Sequence, residues 1–88
     1  MSGILAKDPA RFVETAIDDE TVVMSLESGN FFSLKDTARA IWDLIDGSRD
    51  EVALVAALAG DYPDADRAVL AGDVASFVGE LRGAGLLA

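Results

Sequence analysis

Apolar and polar residues alternate in three short runs near the start of the chain, over residues 11–17, 21–26 and 30–34. A period of two is typical of β-strands, because successive side chains of a strand point to opposite faces of a sheet. Polar segments at residues 18–20 and 27–30 separate the runs and have the composition of tight turns. The pattern therefore predicts a three-stranded antiparallel β-meander.

After residue 34 the apolar residues adopt helical spacing. A first predicted helix begins near Asp36 and ends at Gly47, because glycine commonly ends a helix. Its apolar face contains Ala38, Ile41, Trp42 and Ile45. Ser48 with Glu51 three residues later matches a capping box, which predicts that a second helix begins there and runs to Gly60. The buried stripe predicted for this second helix is Val52, Val55, Leu58 and Ala59.

The third predicted helix is the longest, from about Asp64, its expected N-cap, to Arg82. Its apolar face contains Leu70, Val74, Phe77, Val78 and Leu81. The glycines after Arg82 end the helix, and Leu86 and Leu87 form an apolar tail that should pack back on the domain.

Strands followed by helices indicate an α+β fold, here a three-stranded antiparallel β-meander followed by three helices in a winged-helix-like arrangement. The chain has 88 residues, enough for one modest core. We expect residues 1–10 to be a flexible lead-in and residues 11–88 to form a single domain.

The composition of the chain limits the classes of molecule that it can bind. Sixteen acidic residues against seven basic ones give a net charge of -9, so nucleic acid and anionic membranes are poor partners. A basic peptide or a basic enzyme surface would be attracted, although the charge also serves solubility alone. No apolar run approaches the roughly 20 residues that span a bilayer, and no signal sequence is evident, so we expect a cytoplasmic protein.

The inventory of reactive side chains argues against catalysis. The chain has no histidine and no cysteine, which removes the usual general base and the strongest nucleophile. Asp18, Asp19 and Glu20 are explained by turn chemistry, and Asp64 and Asp66 by helix capping. The spacing of these acids does not match a calcium-binding loop. We therefore expect no catalytic residue, no cofactor and no metal.

Two features point instead to binding. The strand over residues 30–34 passes directly into a helix, so its outer edge is free to pair with another chain, and Phe31 points away from Phe32 and Leu34. Along the third helix, Asp66, Asp73 and Glu80 recur every seven residues and form one acidic line beside apolar positions. This line is either a solvated face or the rim of a groove for a basic amphipathic peptide.

These segments resemble the PqqD-like family, the leader-peptide-binding domains also called RiPP recognition elements. The family pattern is a hairpin turn with an acidic residue and glycine, an aromatic pair and leucine, then a helix with threonine, a small residue and Ile-Trp. Residues 26–34 read LESGNFFSL, residues 36–42 read DTARAIW and residues 73–81 read DVASFVGEL. The resemblance extends over nearly the whole chain after residue 10. Phe31 and Phe32 stand where the family commonly has tyrosines, and the opening lacks the proline and arginine often seen in PqqD itself.

The resemblance implies a non-catalytic module that captures the leader segment of a ribosomally synthesised precursor peptide and presents it to a partner modifying enzyme, such as a leader peptidase, cyclase or radical enzyme. The peptide is expected to add as a strand to the third strand, opposite the third helix. The chain looks most like the stand-alone recognition subunits of lasso-peptide systems. The implied binding residues are Asn30, Phe31, Phe32, Ser33, Leu34, Leu70, Asp73, Val74, Phe77, Val78 and Leu81.

A winged-helix DNA-binding or transcription-associated domain is the alternative. It requires basic residues on a recognition helix, whereas residues 50–60 contain no lysine or arginine and the third helix has only Arg67 and Arg82. The sequence leaves open the precursor, the partner enzyme, the oligomeric state, and which apolar residues of the third helix belong to a groove rather than to the core.

Overall fold

A computed structural model describes residues 3–88 of the chain, in which three strands are followed by three helices. The strands are β1 (Phe12–Ile17), β2 (Glu20–Ser25) and β3 (Phe31–Leu34). The helices are α1 (Asp36–Leu44), α2 (Glu51–Asp61) and α3 (Arg67–Gly83). The predicted α+β fold, with its antiparallel meander and three following helices, is confirmed. No helix of residues 3–88 combines the length and the apolar composition that crossing a membrane requires.

The sheet has the order β1-β2-β3, and both strand pairs are antiparallel. One face packs against the helices and buries Thr21, Val23 and Ser25 of the central strand together with Leu34 of β3. The other face is open, and Val13, Met24 and Phe31 on it are exposed. The alternation in the sequence thus corresponds to one buried and one solvent-facing side of the sheet.

Trp42, on the predicted apolar face of α1, lies at the centre of the core with 0% of its surface exposed. Its ring meets Phe12 of β1 edge to face at 5.2 Å between centroids, and its indole N–H donates a hydrogen bond of 2.9 Å to a Glu14 carboxylate oxygen. The Lys7 ammonium lies 4.4 Å above the ring. Trp42 thus joins α1 to β1 and to the segment before it.

Helices α2 and α3 pack against each other, and the five apolar residues predicted for the inner face of α3 are all buried. In α2 the prediction was partly wrong, since Val52 is 72% exposed while Leu54 is fully buried. Because nearly every residue of α2 is apolar or alanine, the sequence marks its inner face only weakly.

The helix ends also differ from the sequence prediction. Helix α1 stops at Leu44, before Gly47, which has a positive φ of 85° in the following turn. The carboxylate of Asp50, not Ser48, caps α2 by accepting from the Ala53 N–H. Asp66, not Asp64, caps α3 by accepting from the Ala68 N–H. Aspartate and serine cap helices about equally well, so the position at which the chain turns into each helix decides which residue is the cap.

The segment before β1 differs from the loose lead-in expected for residues 1–10, of which Met1 and Ser2 lie outside the described residues. Leu5 is 2% exposed, its N–H donates to the Arg49 carbonyl oxygen, and its own carbonyl oxygen accepts from Gly47. At the other end of the chain Leu86 is fully buried, as predicted for the apolar tail, and its carbonyl oxygen accepts from the Asp8 N–H. Residues 5–8 are therefore bound to the domain by backbone hydrogen bonds.

Candidate functional site

Strand β3 is an edge strand of the sheet, and among the described residues β2 is its one strand partner. The Ser25 N–H donates to the Asn30 carbonyl oxygen at 2.8 Å. This bond shows which residues of the two strands form hydrogen-bonded pairs. In an antiparallel ladder, alternate residues direct both backbone groups toward the partner. By the observed register, Phe32 and Leu34 direct theirs toward β2, and Phe31 and Ser33 direct theirs toward the open edge.

Two cavities lie near this strand, one lined in part by Phe32 and the other by residues of α1, which follows β3 along the chain. The first is about 610 Å³ in volume and lies between the β2–β3 hairpin and the end of α3. Phe32 supplies aromatic surface to it, and Asn30 and Arg82 supply polar groups. Its remaining lining residues are Ser25, Glu27, Ser28, Gly83, Ala84 and Gly85.

The second cavity is about 230 Å³ and lies where α1 follows β3, between the first turns of α1 and the middle of α3. Ala38, Ile41 and Phe77 supply its apolar surface. Its polar lining residues are Thr37, Asp73, Ser76 and Glu80. The end of α3, at residues 82–85, therefore lies beside the β2–β3 hairpin, whereas residues 73–80 of α3 line the cavity formed with the start of α1, which follows β3 along the chain.

The structure separates the predicted site residues into three groups. Phe31 and Ser33 are exposed on the edge strand, Asn30 is exposed just before it, and Phe32 is half-buried beside the first cavity; Phe31 is 71% exposed. Asp73 and Phe77 line the second cavity. The remaining predicted residues are buried in the core, namely Leu34, Leu70, Val74, Val78 and Leu81.

Several residues that border the cavities were not among the predicted binding residues. Ser76 and Glu80 follow Asp73 by three and seven positions, so helical periodicity from Asp73 places them on the same face. Periodicity does not predict that Thr37 and Ala38 line the second cavity, because only the packing of α1 beside α3 brings them there. Arg82 likewise reaches the first cavity because α3 ends beside the β2–β3 hairpin.

The acidic line of α3 is exposed along its length, and Asp73 and Glu80 belong to the lining of the second cavity. No lysine or arginine lines that cavity. The ion pairs of the described residues are formed by Arg11, Lys35 and Arg49 with other acids. Asp66, the first member of the line, is instead the α3 cap. The predicted acidic rim therefore consists of two carboxylates beside an apolar floor.

The chemistry available at this edge is that of binding. Outward backbone donors and acceptors can pair with an extended chain, and the cavities can receive alternate side chains of that chain. Within residues 3–88 no group of three or more potential metal-ligating side chains is assembled. A lowered pKa is found at Asp46, where hydrogen bonds from the hydroxyl and backbone N–H of Ser48 and the nearby Arg49 guanidinium favour the carboxylate; this group lies outside both cavities.

The fold thus combines a three-stranded sheet that has an open edge at β3 with three helices that follow it. The chain belongs to the PqqD family, since the family model described as Coenzyme PQQ synthesis protein D (PqqD) matches residues 20–87. No curated protein matches the chain.

Two solved structures are similar to this chain over almost its whole length. TbiB1 in complex with the TbiA(beta) leader peptide is 28% identical, with 93% of each chain covered and a TM-score of 0.80. A lasso peptide synthetase B1 complexed with the leader peptide is 21% identical, with 98% of this chain and 99% of that chain covered and a TM-score of 0.81. The second likeness supports the fold alone.

Proposed function

We propose that this chain is a non-catalytic binding module that captures the leader segment of a ribosomally synthesised precursor peptide by strand addition at β3. The observation that carries the proposal is the open edge of β3, where the backbone groups of Phe31 and Ser33 point away from β2 beside the two cavities. Membership of the PqqD family and the likeness to TbiB1, which was solved with a leader peptide, support it.

Strand addition separates affinity from specificity. Backbone hydrogen bonds to Phe31 and Ser33 are available to any extended peptide, so they contribute affinity without selecting a sequence. Selection falls to the side chains that alternate between the open sheet face and the groove toward α3. On the groove side, those side chains meet Phe32 at one end and Phe77 at the other.

The net charge of -9 affects the rate at which the peptide associates with the chain. A leader with basic residues would be drawn toward the exposed carboxylates of α3, and this steering raises the association rate more than the affinity. The same charge disfavours duplex DNA. A role as a DNA-binding winged helix therefore has no support in the site or in the family.

The bound precursor would be presented to a partner modifying enzyme, such as a leader peptidase, a cyclase or a radical enzyme. The resemblance of the sequence to the stand-alone recognition subunits of lasso-peptide systems favours such a subunit among these possibilities. Because ribosomes make the precursor in the cytoplasm, this role places the chain there. Neighbouring genes that encode a short precursor and a modifying enzyme would identify the pathway.

A titration followed by NMR tests the proposal. The leader of a precursor encoded near the gene for this chain is added to the ¹⁵N-labelled protein, and backbone amide shifts are mapped. We expect the shifts to cluster at residues 30–34 and 70–81, with the largest changes at the outward amides of Phe31 and Ser33. Shifts concentrated on β1 or α2 would contradict the proposed edge.

Mass spectrometry of the same mixture tests the absence of catalysis. We expect the precursor mass to remain unchanged when the purified chain is the only protein present. Modification or cleavage of more precursor molecules than protein molecules would show turnover and overturn the assignment as a binding module.

A further inference from the structure

The second cavity combines two surfaces that favour different parts of one side chain. Its floor is apolar, formed by Ala38 and Ile41 of α1 and by Phe77 of α3. Ile41 is 1% exposed and Phe77 is 9% exposed, so only the outer parts of these side chains reach the opening. The cavity volume, about 230 Å³, is in the range of a single amino-acid side chain rather than of a larger ligand.

The rim of the cavity is negative. Asp73 and Glu80 lie seven residues apart on α3, which places them about 10 Å apart along the helix axis, on either side of Phe77. Neither is in the ion pairs of the described residues, and no basic residue lines the cavity. Lys35, the basic residue just before α1, has its ammonium 3.7 Å from Glu20 instead.

The cavity is also within reach of a chain on the open edge. Strand β3 ends at Leu34 and α1 begins at Asp36, so Thr37 and Ala38 in the cavity wall directly follow the edge strand. A peptide paired with Phe31 and Ser33 directs every second side chain toward α3. One of these inward side chains, near the end of β3, therefore lies opposite the cavity.

We propose that the second cavity is a subsite for a lysine or arginine side chain of the bound peptide, an inference that rests on the proposed strand addition at β3. The aliphatic stem of the side chain lies on Ile41 and Phe77, and the cationic head lies between Asp73 and Glu80. Long basic side chains bury their stems on apolar surface while the charge remains at a wet rim.

The competing occupants fit less well. A purely apolar side chain would fill the floor but would remove water from the rim carboxylates without replacing its hydrogen bonds. An acidic side chain would be repelled by both carboxylates. The order of preference expected for the subsite is therefore lysine or arginine, then apolar residues, then aspartate or glutamate.

A selection from a display library of random peptides of about ten residues tests the subsite and does not require the natural leader. The full chain is the bait, and selected peptides are mapped to β3 by amide shifts. We expect a lysine or arginine at one fixed inward position. Replacing that residue by methionine should weaken binding about threefold to tenfold at about 50 mM salt, and less at about 500 mM salt, because the rim is exposed and screened.

Protein variants assign the effect to the rim. The double variant Asp73→Asn/Glu80→Gln should remove the preference for a basic residue, and Asp73→Lys/Glu80→Lys should reverse it toward glutamate. The matched control is Asp19→Asn/Asp64→Asn, which removes two exposed carboxylates outside both cavities and should keep the preference. Circular dichroism verifies the fold of each variant.

The possible results separate the subsite from the proposed function. Peptides that bind at β3 without a basic preference, or with a preference that survives Asp73→Asn/Glu80→Gln, would overturn the subsite and leave leader binding intact. A loss of preference in the control as large as in the rim variant would also overturn it, since general charge would then be the cause. Failure to select any peptide that binds β3 would overturn strand addition and the subsite with it.

Discussion

The two faces of the sheet are built from alternate residues of the same strands but meet different surroundings. On the inner face, Val23 is 1% exposed and Leu34 is 3% exposed against the helices. On the outer face, Val13, Met24 and Phe31 are aligned by the strand register into one apolar row that remains exposed. Packing of the core explains why the inner residues are apolar, but it does not explain why the residues of the outer row are apolar. Contiguous exposed apolar surface often marks an interaction site.

The outer row ends at the same edge where a peptide would be added. A fourth strand beside β3 would place some of its side chains next to Phe31 on the open face, where cross-strand pairs stabilise a sheet. We therefore expect the inner face to determine whether the domain folds, and we propose that the outer face contributes to what the domain binds. The following predictions test that division, from the largest expected effect to the smallest.

Truncating Trp42 should have the largest effect, because its ring packs against Phe12 of the inner face and is fully buried. We expect Trp42→Ala to lower the free energy of unfolding by about 3–5 kcal/mol, a large part of the stability of a small domain. Chemical denaturation followed by far-ultraviolet circular dichroism measures the loss. A melting temperature within a few degrees of the wild type would show that Trp42 is peripheral.

Two valines on adjacent strands compare the faces directly. Val23→Ala removes two buried methyl groups from the inner face and should cost about 2–3 kcal/mol. Val13→Ala makes the same chemical change at a side chain that is 48% exposed on the outer face, and it should change stability by less than about 0.5 kcal/mol. Urea unfolding of both variants gives the difference. Equal costs would contradict the assignment of the two faces.

Phe31 separates binding from folding. Because it is 71% exposed at the open edge, Phe31→Ala should weaken leader binding by about 1–2 kcal/mol while changing stability little. Ile17→Ala is the matched control, since Ile17 is an apolar residue of the same face, 53% exposed, beside the β1–β2 turn. Isothermal titration calorimetry compares the affinities. Equal losses of affinity for the two variants would contradict a special role of the β3 edge in leader binding.

The smallest expected effect lies outside the sheet, at Asp46. Hydrogen bonds from Ser48 lower the pKa of this exposed carboxyl, so its folded-state pKa lies below its unfolded-state pKa. The stabilisation is therefore present at neutral pH and is lost as the pH falls through the folded-state pKa. Ser48→Ala should raise the pKa of Asp46, as followed by the carboxyl shift in an NMR titration. An unchanged pKa would show that Ser48 is not the cause.

Much of the fold follows from patterns that are local in the sequence. The period of two fixes the strands and divides each into two faces, and the stripe from Leu70 to Leu81 fixes the inner side of α3, where every predicted apolar residue is buried. These assignments succeed because each depends on residues within one element. The edge position of β3 follows almost as directly, since the chain leaves it for α1 and no later strand pairs with it among the described residues.

The tertiary structure decided the features that depend on two distant segments. Leu5 is buried because residues 5–8 contact the α1–α2 turn and the end of the chain, and no local pattern encodes those contacts. The division of the predicted site has the same cause. Val74, Val78 and Phe77 look equivalent in the sequence of α3, and all three are buried, but the rotation of the helix against its neighbours buries both valines completely and leaves Phe77 9% exposed. That rotation leaves Phe77 beside Ala38 at the second cavity, because packing between helices, rather than periodicity within one of them, sets which residues border a groove.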